Sequence, residues 1–204
     1  MTHLVFIDIE SSGLDPNAPG AEILELALVA VDPRTLTEVA HWSSPLNAKA
    51  HTGEWHPRVV QMHQENGLLD DLRGPRSHLT FAAGGWPWVH EAEAVACAFM
   101  AAYAPMTPDR NGNLIGWSPM CGANVGSFDR PWIRKFMPKL DECFHYRCID
   151  SNTAFLVDQY VFGLSNGVKT DCAHRALADA RQSVETLRGM ASVLWAGYHQ
   201  LGRL

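Results

Sequence analysis

An α/β domain built on a mixed sheet is the fold class this sequence predicts, and three observations carry the prediction. Three β-rich apolar runs follow one another within the first 42 residues. Helically periodic segments then alternate with short apolar runs, and none of the 204 residues falls in a repeat, a low-complexity tract or a linker. A meander followed by alternating helices and short strands indicates a mixed sheet flanked by helices. With 47% hydrophobic and 19% charged residues, the chain suits one compact domain, residues 1–204.

Residues 4–9 form an apolar, β-branched run that ends at acidic residues and the turn-like SSGLDPNAPG, as a central strand ending in a loop does. ILELALVAV at 23–31 supplies the second strand and residues 36–42 a third, after the Asp32-Pro33 turn signal. The polar, His- and Gly-containing stretch 51–76 reads as short helices and loop. Residues 88–103 place Val89, Ala92, Val95, Ala96 and Phe99 on one helical face. A Pro/Asn/Gly loop is expected at 105–116, a short buried strand at 120–123, and a helix at 130–136 that Pro138 stops. Residues 148–149 are the fifth strand, 151–161 a helix and 162–170 a loop. A final helical region, 172–198, carries an apolar stripe with a break expected at Gly189.

No apolar run approaches the roughly 18 residues of a membrane span. The opening MTHLVFIDIE lacks a basic signal-peptide start, so a cytoplasmic location is expected. Cys97, Cys121, Cys143, Cys148 and Cys172 form no C-x-x-C pair and read as reduced thiols. A net charge of −6 lacks the basic footprint of a long-duplex binder. It leaves room for a partner held through a few phosphates, because divalent cations reverse the local charge of a carboxylate cluster.

Three segments carry chemistry. Asp8 and Glu10 alternate at the end of a strand, so both carboxylates point to one face, where burial is costly unless a cation joins them. Hard ions such as Mg²⁺ or Mn²⁺ suit such oxygen pairs. Asp129 follows a short strand and opens a helix, for which an N-cap is the plain structural explanation. His174 and Asp179 lie five residues apart. On a continuous helix that step is about 500°, or roughly 140° net, so His174 must precede the helix or sit in its first turn if both face one site. His51, His56 and His63 show no regular ligand spacing, and the tryptophans are too scattered to define a stacking platform.

DIESSGLD, then Asn124-x-x-x-x-Asp129, then His174-x-x-x-x-Asp179 resemble the three ordered motifs of the DEDD 3′→5′ exonucleases with a catalytic histidine (DEDDh). AEILELALVAVD, VVQMHQENGLLDDL, PMCGANVGSFDR, MPKLDECFHYRCIDSNT and AHRALADARQSVETLR narrow the resemblance to the oligoribonuclease branch. That resemblance implies an RNase H-like fold and removal of nucleoside 5′-monophosphates from the 3′ end of short single-stranded RNA. It implies two divalent ions, Mg²⁺ or Mn²⁺, with Asp8, Glu10 and Asp179 on one, and Asp8 with Asp129 nearby serving the other. His174 would be the general base, Leu14 a wedge against terminal bases, and Asn124 a substrate contact. Tyr146 and Arg147 would stack on a base and hold a phosphate across a homodimer interface. The family commonly has serine where this chain has Val125 and Asn152, and glutamine where it has Phe128. These departures bear on substrate length and sugar, and a DNA-directed or proofreading-type exonuclease acting on single-stranded DNA is the alternative. A binding module that had kept only the fold would be expected to lose Asp8, Glu10, Asp129, His174 and Asp179, and all five are present.

Overall fold

The computed structural model describes residues 2–47, 55–161 and 173–200. Its first strand, β1 (Leu4–Ser11), pairs antiparallel with β2 (Ile23–Val31), which pairs antiparallel with β3 (Glu38–Pro45). A two-stranded hairpin, β4 (Thr107–Pro108) and β5 (Leu114–Ile115), lies apart from this sheet. Beyond it β6 (Pro119–Gly122) joins β1 in parallel and β7 (His145–Asp150) joins β6 in parallel. The strand order is β3-β2-β1-β6-β7, a mixed five-stranded sheet.

Helices cover both faces. They are α1 (Pro57–Glu65), α2 (Leu68–Arg73), α3 (Val89–Tyr103), α4 (Asp129–Phe136), α5 (Pro138–Cys143), α6 (Ser151–Val161) and α7 (Ala176–Gln200). The period-2 alternation of β1 decides what each face meets. Val5, Ile7 and Ile9 enter a core with Ala92, Ala96 and Met100 of α3, Trp132 and Ile133 of α4, and Leu140 of α5. Phe6 turns to the other face and packs with Ala27 and Val29 against Ala176, Ala180 and Val184 of α7. Asp8 and Glu10 continue that second face. A slip of one residue would drive both carboxylates into the apolar core and turn Ile7 and Ile9 out of it. Each fully buried aliphatic side chain is worth about 1.5–3 kcal/mol, so the register is strongly held.

Gly122 ends β6 where a Cβ would lie 2.6 Å from the Ile7 carbonyl oxygen, so only glycine allows the two strands to close at this point. A third, smaller cluster joins Leu68, Leu69 and Leu72 of α2 to Leu24 of β2, with Trp55 and Val60 against it. That packing brings α1 and α2 to the end of the sheet where β1 terminates.

The structure corrects several sequence expectations. The 105–116 loop contains the β4–β5 hairpin, held by Asp109, whose carboxylate accepts the backbone N–H groups of Asn111 and Asn113 at 2.8 and 2.9 Å. Pro138 does more than stop a helix, because its missing N–H costs nothing at a first helical position and it opens α5. The last helix starts at Ala176 rather than residue 172, and it runs through Gly189 without a break. The fifth strand is longer than residues 148–149, and the third spans 38–45. The expected loop at 162–170, the start of the 51–76 stretch including His51, and Cys172 lie outside the described residues. Cys97, Cys121, Cys143 and Cys148 are free thiols.

Candidate active site

The end of β1, the start of α4 and the start of α7 converge on one point. Asp8 and Glu10 project from β1 towards the face covered by α7, whose first turn carries Asp179. Glu10, His174 and Asp179 each present a ligand atom within 4.8 Å of the others. His174 stands just before α7 with φ 48°, a left-handed backbone unusual for a residue with a Cβ. That break in helical geometry removes the 140° divergence a continuous helix would impose, as the spacing required.

Asp129 is the first residue of α4, with Phe128 at the cap position, and its carboxylate reaches beyond its own helix. Oδ1 accepts the Ile9 N–H of β1 at 3.0 Å, and the residue is 2% exposed. The capping explanation therefore gives way to a tertiary one, in which Asp129 is fastened to the strand between Asp8 and Glu10.

Burial above all pushes the Glu10 carboxyl up to about 8, with Asp179, Glu25 and Asp129 adding repulsion. Burial likewise pushes Asp129 up to about 7. Asp8 is raised well above the usual carboxylate range by burial, then by Asp129, Glu10, Asp179 and Glu25. Several carboxylates held this close cannot all ionise cheaply near neutral pH without a compensating cation. An all-oxygen cluster of this kind fits hard divalent ions, and Asp8, Glu10, Asp129 and Asp179 are the residues that could hold them.

Residues that the motifs did not single out complete the arrangement. Glu25, 4% exposed, lies directly across from Glu10 in the β1–β2 ladder. Arg175 forks onto Glu25 at 2.9–3.3 Å and reaches Asp71 at 2.9 Å. His63 of α1 is fully buried, with Nε2 3.1 Å from the Ser11 carbonyl and Nδ1 4.0 Å from Glu10 Oε2. Burial holds the His63 imidazole below its ordinary pKa. A signal for Glu25 was present in the sequence, since it is the one charged residue in the otherwise apolar ILELALVAV. His63 gave none, because its role depends on α1 docking against β1.

Leu14 is 83% exposed on the loop after β1, so ordinary turn packing does not account for it. The loop is nonetheless fixed. Ser12 and Glu22 exchange hydrogen bonds at 2.9–3.0 Å, and Lys135 Nζ donates to the Pro16 carbonyl at 2.5 Å and to Asn17 Oδ1 at 3.3 Å. Leu14 thereby stands at a mainly apolar pocket of about 690 Å³, lined also by Trp55, Val59 and Met62.

Asn124 has φ 54°, donates its N–H to Asp150 Oδ1 at 3.0 Å and accepts Asn152 Nδ2 at 2.8 Å. Val125 is wholly buried. Tyr146 and Arg147 are not brought to the carboxylates. They lie on the edge strand β7, where Tyr146 is 72% exposed and the Arg147 guanidinium sits 5.2 Å from its ring centre.

No protein-family model matches the chain. It is 33% identical to the oligoribonuclease of Alkalilimnicola ehrlichii over 191 residues, which cover 91% of this chain and 86% of that protein. The oligoribonuclease of Halorhodospira halophila is also 33% identical over 191 residues, covering 91% of each. Among solved structures the fold matches an Escherichia coli exonuclease I–single-stranded DNA complex with a TM-score of 0.60 at 13% identity. Exonuclease I from Methylocaldum szegediense matches with a TM-score of 0.59, also at 13% identity. Each match covers 92% of this chain and 40% of exonuclease I, so the chain spans about two fifths of that protein's length and shares its fold. On the sequence relationship, which runs through nine-tenths of its length, the chain belongs to the oligoribonuclease family of 3′→5′ exonucleases.

Proposed function

We propose that the protein removes nucleoside 5′-monophosphates from the 3′ end of short single-stranded RNA, with Asp8, Glu10, Asp129 and Asp179 holding two divalent ions, Mg²⁺ or Mn²⁺. The observation that carries this is one juxtaposition: four acidic groups and an imidazole gathered at the end of β1, and on the loop that follows it an exposed leucine at a mainly apolar pocket. When bound, the ions supply Lewis-acid stabilisation of the charge that develops on the scissile phosphate. His174 accepts the proton of the attacking water at an imidazole nitrogen, the work of a general base held within reach of the reacting water. Leu14 packs on the terminal base as it enters the pocket with Trp55, and Asn124 contacts the substrate further along the strand. In a homodimer, Tyr146 and Arg147 of β7 would serve the partner's substrate, which agrees with their exposure and their distance in the fold from β1.

The cytoplasmic location is part of this proposal. Among the described residues no helix is long and apolar enough to cross a membrane.

Timed digestion of 5′-labelled RNA and DNA oligomers, from dinucleotides to about twenty nucleotides, tests the substrate assignment. Short RNA should disappear fastest, leaving mononucleotides. Rapid loss of long DNA with dinucleotides left intact would favour the second reading, a DNA-directed or proofreading-type exonuclease. Two observations speak for that reading. Val125 is sealed in the core and cannot offer a substrate the contact a serine would, and the Asn152 amide is engaged by Asn124 rather than free for a phosphate.

A further inference from the structure

We propose that Arg175 is a positioning residue whose task is to hold His174 in its left-handed conformation facing the carboxylates. The inference rests on His174 acting as the base. A left-handed φ of 48° at a histidine persists only where its surroundings over-determine it, and here each neighbouring residue is tied down separately. The N–H of Ala173 donates to Asp179 Oδ1 at 3.1 Å. The carbonyl of His174 itself accepts the Asn66 side-chain amide. Arg175 spans two elements, with its guanidinium on both oxygens of Glu25 in β2 and on Asp71 in α2. The N–H of Ala176, the first residue of α7, donates to Glu25 Oε2 at 2.9 Å.

Glu25 is therefore the anchor for two consecutive residues. It caps α7 from outside the helix and receives the fork of the residue next to His174. Its position opposite Glu10 in the ladder sets the distance between the histidine and the acidic cluster. Two like charges facing one another across a strand pair repel, and the Arg175 cation answers that repulsion while fixing the turn. A guanidinium suits this work, since one planar group reaches two carboxylates and a lysine would present a single point.

The test compares Arg175→Ala, His174→Ala, the double variant and Arg175→Lys on 5′-labelled RNA. Mn²⁺ affinity is measured by calorimetry and folding by thermal melting. Arg175→Ala should lower kcat by about 10- to 100-fold, because a displaced base loses proximity, with KM and Mn²⁺ affinity held within about twofold. Arg175→Lys should recover part of the loss. In the His174→Ala background, removing Arg175 should cost nothing further, since a residue that acts only through the histidine has nothing left to position. Multiplying losses, or an Arg175→Ala enzyme with kcat within twofold of the parent, would overturn the inference while leaving the base assignment intact. Full activity of His174→Ala would overturn both. If Arg175→Ala does not fold, Asp71→Asn removes the more exposed of the two anchors. It should lower kcat a few-fold in the parent but not in the His174→Ala background, and equal losses in both would refute the idea.

Discussion

Replacing Leu14 by alanine separates a substrate contact from a structural one, and the structure sets both magnitudes. The change deletes three carbon atoms, worth about 2.4 kcal/mol if they are fully buried at roughly 0.8 kcal/mol each. In the free protein Leu14 is 83% exposed, so folding uses only about 0.4 kcal/mol of that, and Tm should fall by no more than 1–2 °C. If a terminal base covers the side chain, the remaining 2 kcal/mol or so belongs to the complex and sets an upper bound of about 30-fold on kcat/KM. Steady-state digestion of a 5′-labelled RNA trinucleotide, run beside a thermal melt, measures both quantities. The expected result is a drop in kcat/KM of about 10-fold with Tm nearly unchanged. A melt lowered by several degrees with kcat/KM intact would show that Leu14 packs within its own loop and would remove the wedge from the proposal.

Replacing His174 by alanine should reduce kcat by about 10²- to 10⁴-fold while calorimetry still detects divalent binding. Loss of metal binding in a folded variant would instead make the imidazole a ligand, which its closeness to Glu10 and Asp179 allows. The carboxyls of Glu10 and Asp129 are raised above their unfolded values. The metal-free protein therefore has their full contribution to stability below about pH 4, and loses it as pH rises towards about 8. With chelator present, Tm should fall across that window. Mn²⁺ at about a hundred times its Kd should restore roughly 5–10 °C at the upper end, and a flat profile would contradict the clustered-carboxylate assignment. Gly122→Ala forces a Cβ to 2.6 Å from the Ile7 carbonyl oxygen and should destabilise by about 1–3 kcal/mol, read by urea unfolding. A neutral result would mean that the strands can part there without loss.

Much of the fold was legible because it depends on local chemistry. Alternation in LVFIDIE and continuous apolarity in ILELALVAV specify a half-polar strand and a buried one without reference to anything distant, and the helices at 89–103 and 151–161 were marked by their composition and spacing. The hairpin at 107–115 was missed because two residues per strand carry no periodicity. Pro138 was read as a stop because a proline ending one helix and opening the next has the same local appearance until the chain's direction is known.

The five residues of the proposed active site were named from the sequence by the resemblance of three ordered motifs, and helical geometry put His174 before its helix or in the first turn if it and Asp179 face one site. What the sequence by itself determined was therefore the chemistry available and the faces on which it could be displayed. Only the tertiary structure decided how that chemistry is held. Asp129 looked like a helix cap and is bound to β1. His63 lacked ligand spacing and lies against Glu10. Glu25, Arg175 and Asp71 come from three separate segments and meet beside His174. The physical reason is that strand and helix periods act over a few residues. The partner of a buried charge is fixed by which elements pack together, and no local pattern along the chain records that choice.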